Sequence, residues 1–161
     1  MITFDFDSTL VWTEWVPLQS VTDEWGRPEE SMTTWVHPHT IKAFKDALDS
    51  NEEVRICTSR FRNSECEEEI NAFLDDWIGE RVKIRFTNNR SKVDALNEMS
   101  VIERVTRHWD DDAKEIDDIL KFSNVSVVHV VHPLDKPYTK NVFKERIQHL
   151  KVLKHELERW W

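Results

Sequence analysis

A chain of 161 residues, 39% hydrophobic and 33% charged, has the length and mix of one globular domain that can bury a core. Its two glycines, Gly26 and Gly79, exclude a Walker phosphate loop and a dinucleotide fingerprint, each of which needs two or three glycines within a few residues. The net charge of −9 argues against a general nucleic-acid coat and leaves room for a local basic pocket. Two cysteines, Cys57 and Cys66, are too few for a disulfide scaffold. The first seven residues carry two acids where a signal peptide would be basic and then apolar, and no apolar run reaches the roughly 18 residues of a membrane span. The expectation is a soluble, cytoplasmic protein without a membrane partner, built as a single domain over residues 1–161.

In chain order, Met1-Ile-Thr-Phe-Asp-Phe6 reads as a strand ending on two aspartates. Residues 11–36 have no helical period, carry Trp12, Trp15, Trp25 and Trp35, and turn at Gly26-Arg27-Pro28, so a hairpin or flap is expected. Ile41, Phe44 and Leu48 mark an amphipathic helix over 39–50. Val54–Thr58 is a second strand, and Ile70, Phe73, Leu74 and Trp77 share one face of a helix over 65–78. Arg81-Val-Lys-Ile-Arg-Phe86 alternates basic with apolar residues, as a strand at a sheet edge does. A short helix over Lys92–Met99, a fourth strand within 101–109, a helix over 113–122 and an apolar strand over 125–131 follow. A helix over Lys140–Trp161, with Phe143, Ile147, Leu150, Leu153 and Leu157 in a stripe, closes the chain; it packs on its own sheet or forms a homodimer contact.

Five strands separated by helices predict an α/β, three-layer, Rossmann-like fold. Its mainly parallel sheet would have helices on both faces and chemistry at the carboxyl ends of the strands. Those ends carry Asp5 and Asp7, Thr58 to Arg60, Thr87 to Lys92, and Asp110 to Asp112. Carboxylates gathered at such an edge need a cation or a proton, and an oxygen-rich site suits Mg²⁺. Thr58 and Ser59 add hydroxyl and amide donors, while Arg60, Arg62 and Lys92 add cations for an anionic substrate. Acids for a metal beside donors for an anion are what phosphoryl transfer requires.

These residues resemble the four motifs of the haloacid dehalogenase superfamily, chiefly its phosphatases. Phe4-Asp5-Phe6-Asp7-Ser8-Thr9-Leu10 is similar to the first motif, Arg55-Ile-Cys-Thr58 to the second, Lys92 opening a helix to the third, and His108-Trp-Asp110-Asp111 to the fourth. They stand in the family order over residues 1 to about 120. Ser8 replaces the glycine commonest at its position. The resemblance implies Asp5 as the nucleophile forming an aspartyl-phosphate, Asp7 as acid and then base, Thr58 as a donor to a phosphoryl oxygen, and Lys92 as the offsetting cation. It implies Mg²⁺ held by Asp5, the main-chain carbonyl of Asp7, and Asp110 or Asp111. The triple aspartate admits a second register, Asp111-Asp112; the strand ending at His108-Trp109 favours the first.

With only the short segment 11–36 between the first motifs, the chain resembles the capless members. Their open sites take large substrates, and the spelling Thr58-Ser59-Arg60 is similar to the phosphatase half of polynucleotide kinase-phosphatases and to small viral relatives. The implied substrate is a nucleotide or a nucleic-acid 3′-phosphate end, with Ser59, Arg60 and Arg62 binding it. A small phosphorylated metabolite, a phosphoprotein, and a catalytically silent binding module are the alternatives.

Overall fold

The computed structural model describes residues 1–22 and 28–130, with backbone alone over 12–22 and 28–35. The helix expected over Lys140–Trp161, with its dimer contact, lies outside the described residues, as do the turn at Gly26-Arg27 and the side chains of Trp12, Trp15, Trp25 and Trp35. The elements in order are β1 (Ile2–Phe4), β2 (Val11–Thr22), β3 (Pro28–Val36), α1 (Pro38–Asp49), β4 (Val54–Thr58), α2 (Ser64–Phe73), β5 (Lys83–Phe86), α3 (Lys92–Ile102), β6 (Arg107–Asp110), α4 (Ala113–Phe122) and β7 (Ser126–His129).

Five strands form an all-parallel sheet in the order β5-β4-β1-β6-β7, while β2 and β3 pair antiparallel as a hairpin. Chain order runs one way from β1 through β4 to β5 and the other way through β6 to β7, so β1 is the switch point where ligands bind in such sheets. The alternating segment before residue 87 does form an edge strand, and Lys83 and Arg85 are exposed while Phe86 is buried. Charged side chains on an edge discourage pairing with other chains. Among the described residues no helix is long and apolar enough to cross a membrane.

Side-chain alternation sends β1 to two cores. Ile2 and Phe4 join Ile56, Phe44 of α1, and Ile70 and Phe73 of α2. Phe4 stacks on Trp109 at 5.5 Å and tilts against Phe44 at 4.8 Å. Met1 and Cys57 point the other way, toward Leu96 and Met99 of α3 and Ile119 of α4. Fully burying an aromatic or branched side chain contributes about 1.5–3 kcal/mol, so each layer is held mainly by these residues.

Each helix has a local start signal. His37 Nδ1 accepts from the Thr40 amide with Pro38 in the first turn, Asn63 caps α2, Ser91 caps α3 and Asp112 caps α4. Two helix ends differ most from the sequence reading. The helix expected to stop at Met99 continues to Ile102, and Val101 and Ile102, which look like the start of a strand, sit 86% and 80% exposed on its last turn. The helix expected over 65–78 widens after Phe73 into a π-turn over Leu74–Ile78, closed by Gly79 donating to the Leu74 carbonyl with φ of 85°.

The loop after β5 is strained in a way that serves the sheet edge. Asn88 and Asn89 take φ of 53° and 61° in succession, and their amides donate to the carbonyls of Arg60 and Ser59 at 3.3 and 2.7 Å. Asn88 Oδ1 accepts from the Arg62 amide at 2.9 Å, so this loop fastens the one after β4. Asn88→Ala loses that bond and the tolerance of asparagine for this backbone, and should destabilise by about 1–2 kcal/mol. Asn89→Gly should be neutral or mildly stabilising; urea melts of the two variants check the contrast.

Candidate active site

The site begins with which face of β1 and β6 each residue occupies. Residues two apart on a strand share a face, so Thr3 and Asp5 project with His108 and Asp110 into the α3/α4 layer. Thr3 pairs with His108 in the parallel register. The Asp5 amide donates to the Trp109 carbonyl at 2.8 Å, which carries the pairing one residue past β1 and fixes Asp5 beside the end of β6.

Past Phe6 the chain turns sharply. The amides of Thr9, Leu10 and Val11 all point to the Phe6 carbonyl, and Ser8 adopts φ of 61°. That left-handed backbone is why glycine suits the position and why a small residue is found there. The turn buries Thr9, whose hydroxyl lies 3.1 Å from Asp5 Oδ2 and 3.2 Å from Asp111 Oδ1. A hydroxyl has one proton, so Thr9 donates to one carboxylate at a time.

Lys92 reaches the same point from the first turn of α3. Its ammonium sits 3.0 Å from Asp5 Oδ1 and 2.6 Å from Asp110 Oδ2, and only 3% of the side chain is exposed. Its backbone amide donates to Glu115 of α4 at 3.2 Å, which ties the two helices at their amino ends. Asp110 is the most thoroughly held acid. Oδ2 also takes His108 Nε2 at 2.8 Å, and Oδ1 accepts from the Asp112 amide at 3.0 Å. An ionised carboxylate only accepts, so His108 carries its proton on Nε2 and Nδ1 accepts from Thr3 Oγ1 at 2.7 Å.

One ligand-sized oxygen from each of Asp5, Asp110 and Asp111 lies within 4.8 Å of the others. Three carboxylates against the single Lys92 ammonium leave an excess of two negative charges. The protonation pattern reflects that excess. Burial pushes Asp5 well above the usual carboxylate range despite Lys92, and burial pushes Asp111 up as well. Asp110 is buried too, but His108 and Lys92 hold it below the usual range. Burial pushes His108 down, so the ring is neutral, and the same cause raises the Cys57 thiol to about 12. A metal ion could be held by the three acids; the donor set is all oxygen and lacks two charges, which fits a hard divalent cation.

The other expected residues fall into two groups. Thr58 is buried at the end of β4; extending the Phe4–Ile56 register puts it level with Phe6, between Asp5 and Asp7, and its hydroxyl accepts from the Arg60 amide at 3.3 Å. Asp7 is 47% exposed on its side chain, outside the buried cluster, and both its oxygens accept from Arg60. Ser59 is half-buried and its carbonyl accepts from the Asn89 amide. Arg62 is 73% exposed and 3.4 Å from Glu67. Asp112, the alternative in the triple aspartate, spends its carboxylate on the Lys114 and Glu115 amides as the cap of α4.

Thr9, His108 and Glu69, whose carboxylate accepts from Arg60, are contacts that sequence reasoning did not assign. The signal for His108 was present: a histidine two residues before an aspartate on a strand shares its face, where apolar residues would otherwise stand. No model of a known protein family and no curated protein sequence matches the chain.

Proposed function

We propose that this protein is a Mg²⁺-dependent phosphomonoesterase of the haloacid dehalogenase type, acting through an aspartyl-phosphate on Asp5. The observation that carries the reading is the buried Asp5 held between Lys92 and Thr9, beside Asp110 and Asp111, at the switch point of a parallel sheet. Asp5, Asp110 and Asp111, with the main-chain carbonyl of Asp7, would hold the ion, and a bound Mg²⁺ offsets negative charge on the phosphoryl oxygens.

The chain's own groups divide the remaining work. An Asp5 oxygen attacks phosphorus, the bond to the ester oxygen breaks, and Asp7 gives that oxygen its proton. Asp7 then takes a proton from water, the water oxygen attacks phosphorus, and inorganic phosphate leaves with Asp5 restored. Lys92 stays between Asp5 and Asp110 and keeps the nucleophile's charge tolerable in a buried site. The Thr58 hydroxyl donates to a phosphoryl oxygen. Ser59 and the exposed Arg62, on the loop after β4, would meet a second phosphate of a nucleotide or nucleic-acid 3′ end, and the β2/β3 hairpin would serve as the flap.

Phosphate release from p-nitrophenyl phosphate should require Mg²⁺, stop in EDTA and return when Mg²⁺ is restored. A panel of 3′- and 5′-phosphorylated oligonucleotides, mononucleotides, phosphopeptides and sugar phosphates then identifies the substrate class. Release from none of these in Mg²⁺ would sink the reading in favour of a silent binding module.

A further inference from the structure

Arg60 is a cation whose donors are already committed. Its Nε and Nη2 donate to Asp7 Oδ2 and Oδ1 at 2.8 and 2.7 Å, and its Nη1 and Nη2 donate to Glu69 Oε2 and Oε1 at 2.5 and 3.3 Å. These bonds use four of the five N–H groups of a guanidinium, and the Phe6 ring lies 5.2 Å from its central carbon. The fork is therefore fixed in plane and direction by two carboxylates from different elements, one after β1 and one on α2. A guanidinium held on one side only would keep much of its rotamer freedom and sample other directions.

We propose that Glu69 is a positioning residue for phosphoryl transfer: by anchoring Arg60 it fixes the Asp7 carboxylate, and so determines how well the site expels poor leaving groups. This rests on the phosphatase reading above. Each carboxylate oxygen has two lone pairs, so an Asp7 oxygen that accepts from Arg60 keeps a second lone pair for the proton it must deliver. With Asp7 about half exposed, that lone pair can meet an ester oxygen at the mouth of the site. The proton leaves Asp7 as the phosphorus–oxygen ester bond breaks, and the departing group becomes a neutral alcohol. An alkoxide cannot leave without that proton, whereas a nitrophenolate can. Misplacing Asp7 therefore penalises alkyl phosphates selectively.

The test compares kcat/KM, which reports steps through leaving-group departure, for p-nitrophenyl phosphate and for whichever alkyl phosphate the wild type hydrolyses best among glycerol phosphate and the 3′- and 5′-mononucleotides. Glu69→Gln should lower the alkyl value about 10-fold and the aryl value less than about 2-fold, with Glu69→Asp recovering most of the loss. In an Asp7→Asn background the Glu69→Gln exchange should add nothing further, since its effect runs through Asp7. Equal losses on both esters, or the same 10-fold loss with Asp7 already replaced, would overturn the proposal and leave Glu69 as a surface ion pair. A wild type that hydrolyses neither ester overturns the phosphatase reading itself. An active wild type indifferent to Glu69→Gln overturns this inference alone.

Discussion

Exchange of Asp5 for Asn is expected to abolish turnover, by about 10⁴-fold or more, and at the same time to raise the melting temperature of the protein in EDTA. The first effect follows from removing the proposed nucleophile, because the amide oxygen of Asn forms no acyl phosphate. The second follows from electrostatics. Burial opposes ionisation of Asp5, and Asp110 adds to that opposition. Asn has nearly the same shape, can turn its one oxygen to Lys92 while its amide donates to the Thr9 hydroxyl, and removes one of the three crowded charges. A gain near 1 kcal/mol would appear as about 2–4 °C in a chain of this size. A drop of several degrees in EDTA would mean that Lys92 and Thr9 more than offset the cost of burying this carboxylate.

The same cause fixes the sign of a pH dependence. Asp5 and Asp111 have folded-state values raised above those of the unfolded chain, so the native protein holds protons that the unfolded chain has already released. Stability of the metal-free protein should fall as pH rises from the ordinary carboxylate range through the raised values. Asp110 has the opposite sign, because its depressed value gives stability that disappears only as pH falls far below that range. His108, pushed down by burial, has the opposite sign in the histidine range, so the effect is read as a difference: in EDTA melts between pH 4 and pH 8, the stability of wild type relative to Asp5→Asn should fall as pH rises.

The sequence carries the sheet more openly than the site. Strand apolarity and the spacing of aspartates at strand ends are local patterns, and they are enough to set β1, β4, β5 and β6 parallel with their carboxyl ends together. The alternation of Lys83, Ile84, Arg85 and Phe86 even marks the edge position. Partnerships between side chains are not local. Thr3 and His108 are 105 residues apart and Arg60 and Asp7 are 53 apart, so only the register of the sheet brings them together. Asp112 illustrates the limit differently. Three consecutive aspartates look alike in a sequence, but the backbone direction at the end of β6 turns Asp110 inward and leaves Asp112 to cap α4.

Lys92→Met should have the largest effect on stability, and its sign is opposite to that of Asp5→Asn. Methionine fills much the same volume, so the loss is of charge rather than of packing. What remains is the buried Asp5 and Asp110 and the half-buried Asp111 close together, with His108 neutral and no cation among the described residues bonded to them. Removing one partner of a buried ion pair costs about 3–5 kcal/mol, which for this size corresponds to about 10 °C in EDTA. Part of that loss should return with millimolar Mg²⁺, because a divalent ion can replace the missing positive charge, whereas wild type should gain less from the same addition. The double variant Asp5→Asn/Lys92→Met should be milder in EDTA than Lys92→Met alone by more than Asp5→Asn gains in the wild-type background, since removing a carboxylate relieves the excess that removing the ammonium creates. If the two effects simply added, Lys92 would be acting through packing on α3 and the electrostatic account of the cluster would fall. If the double variant is rescued as described, the lysine is the counter-charge around which the three acids are built.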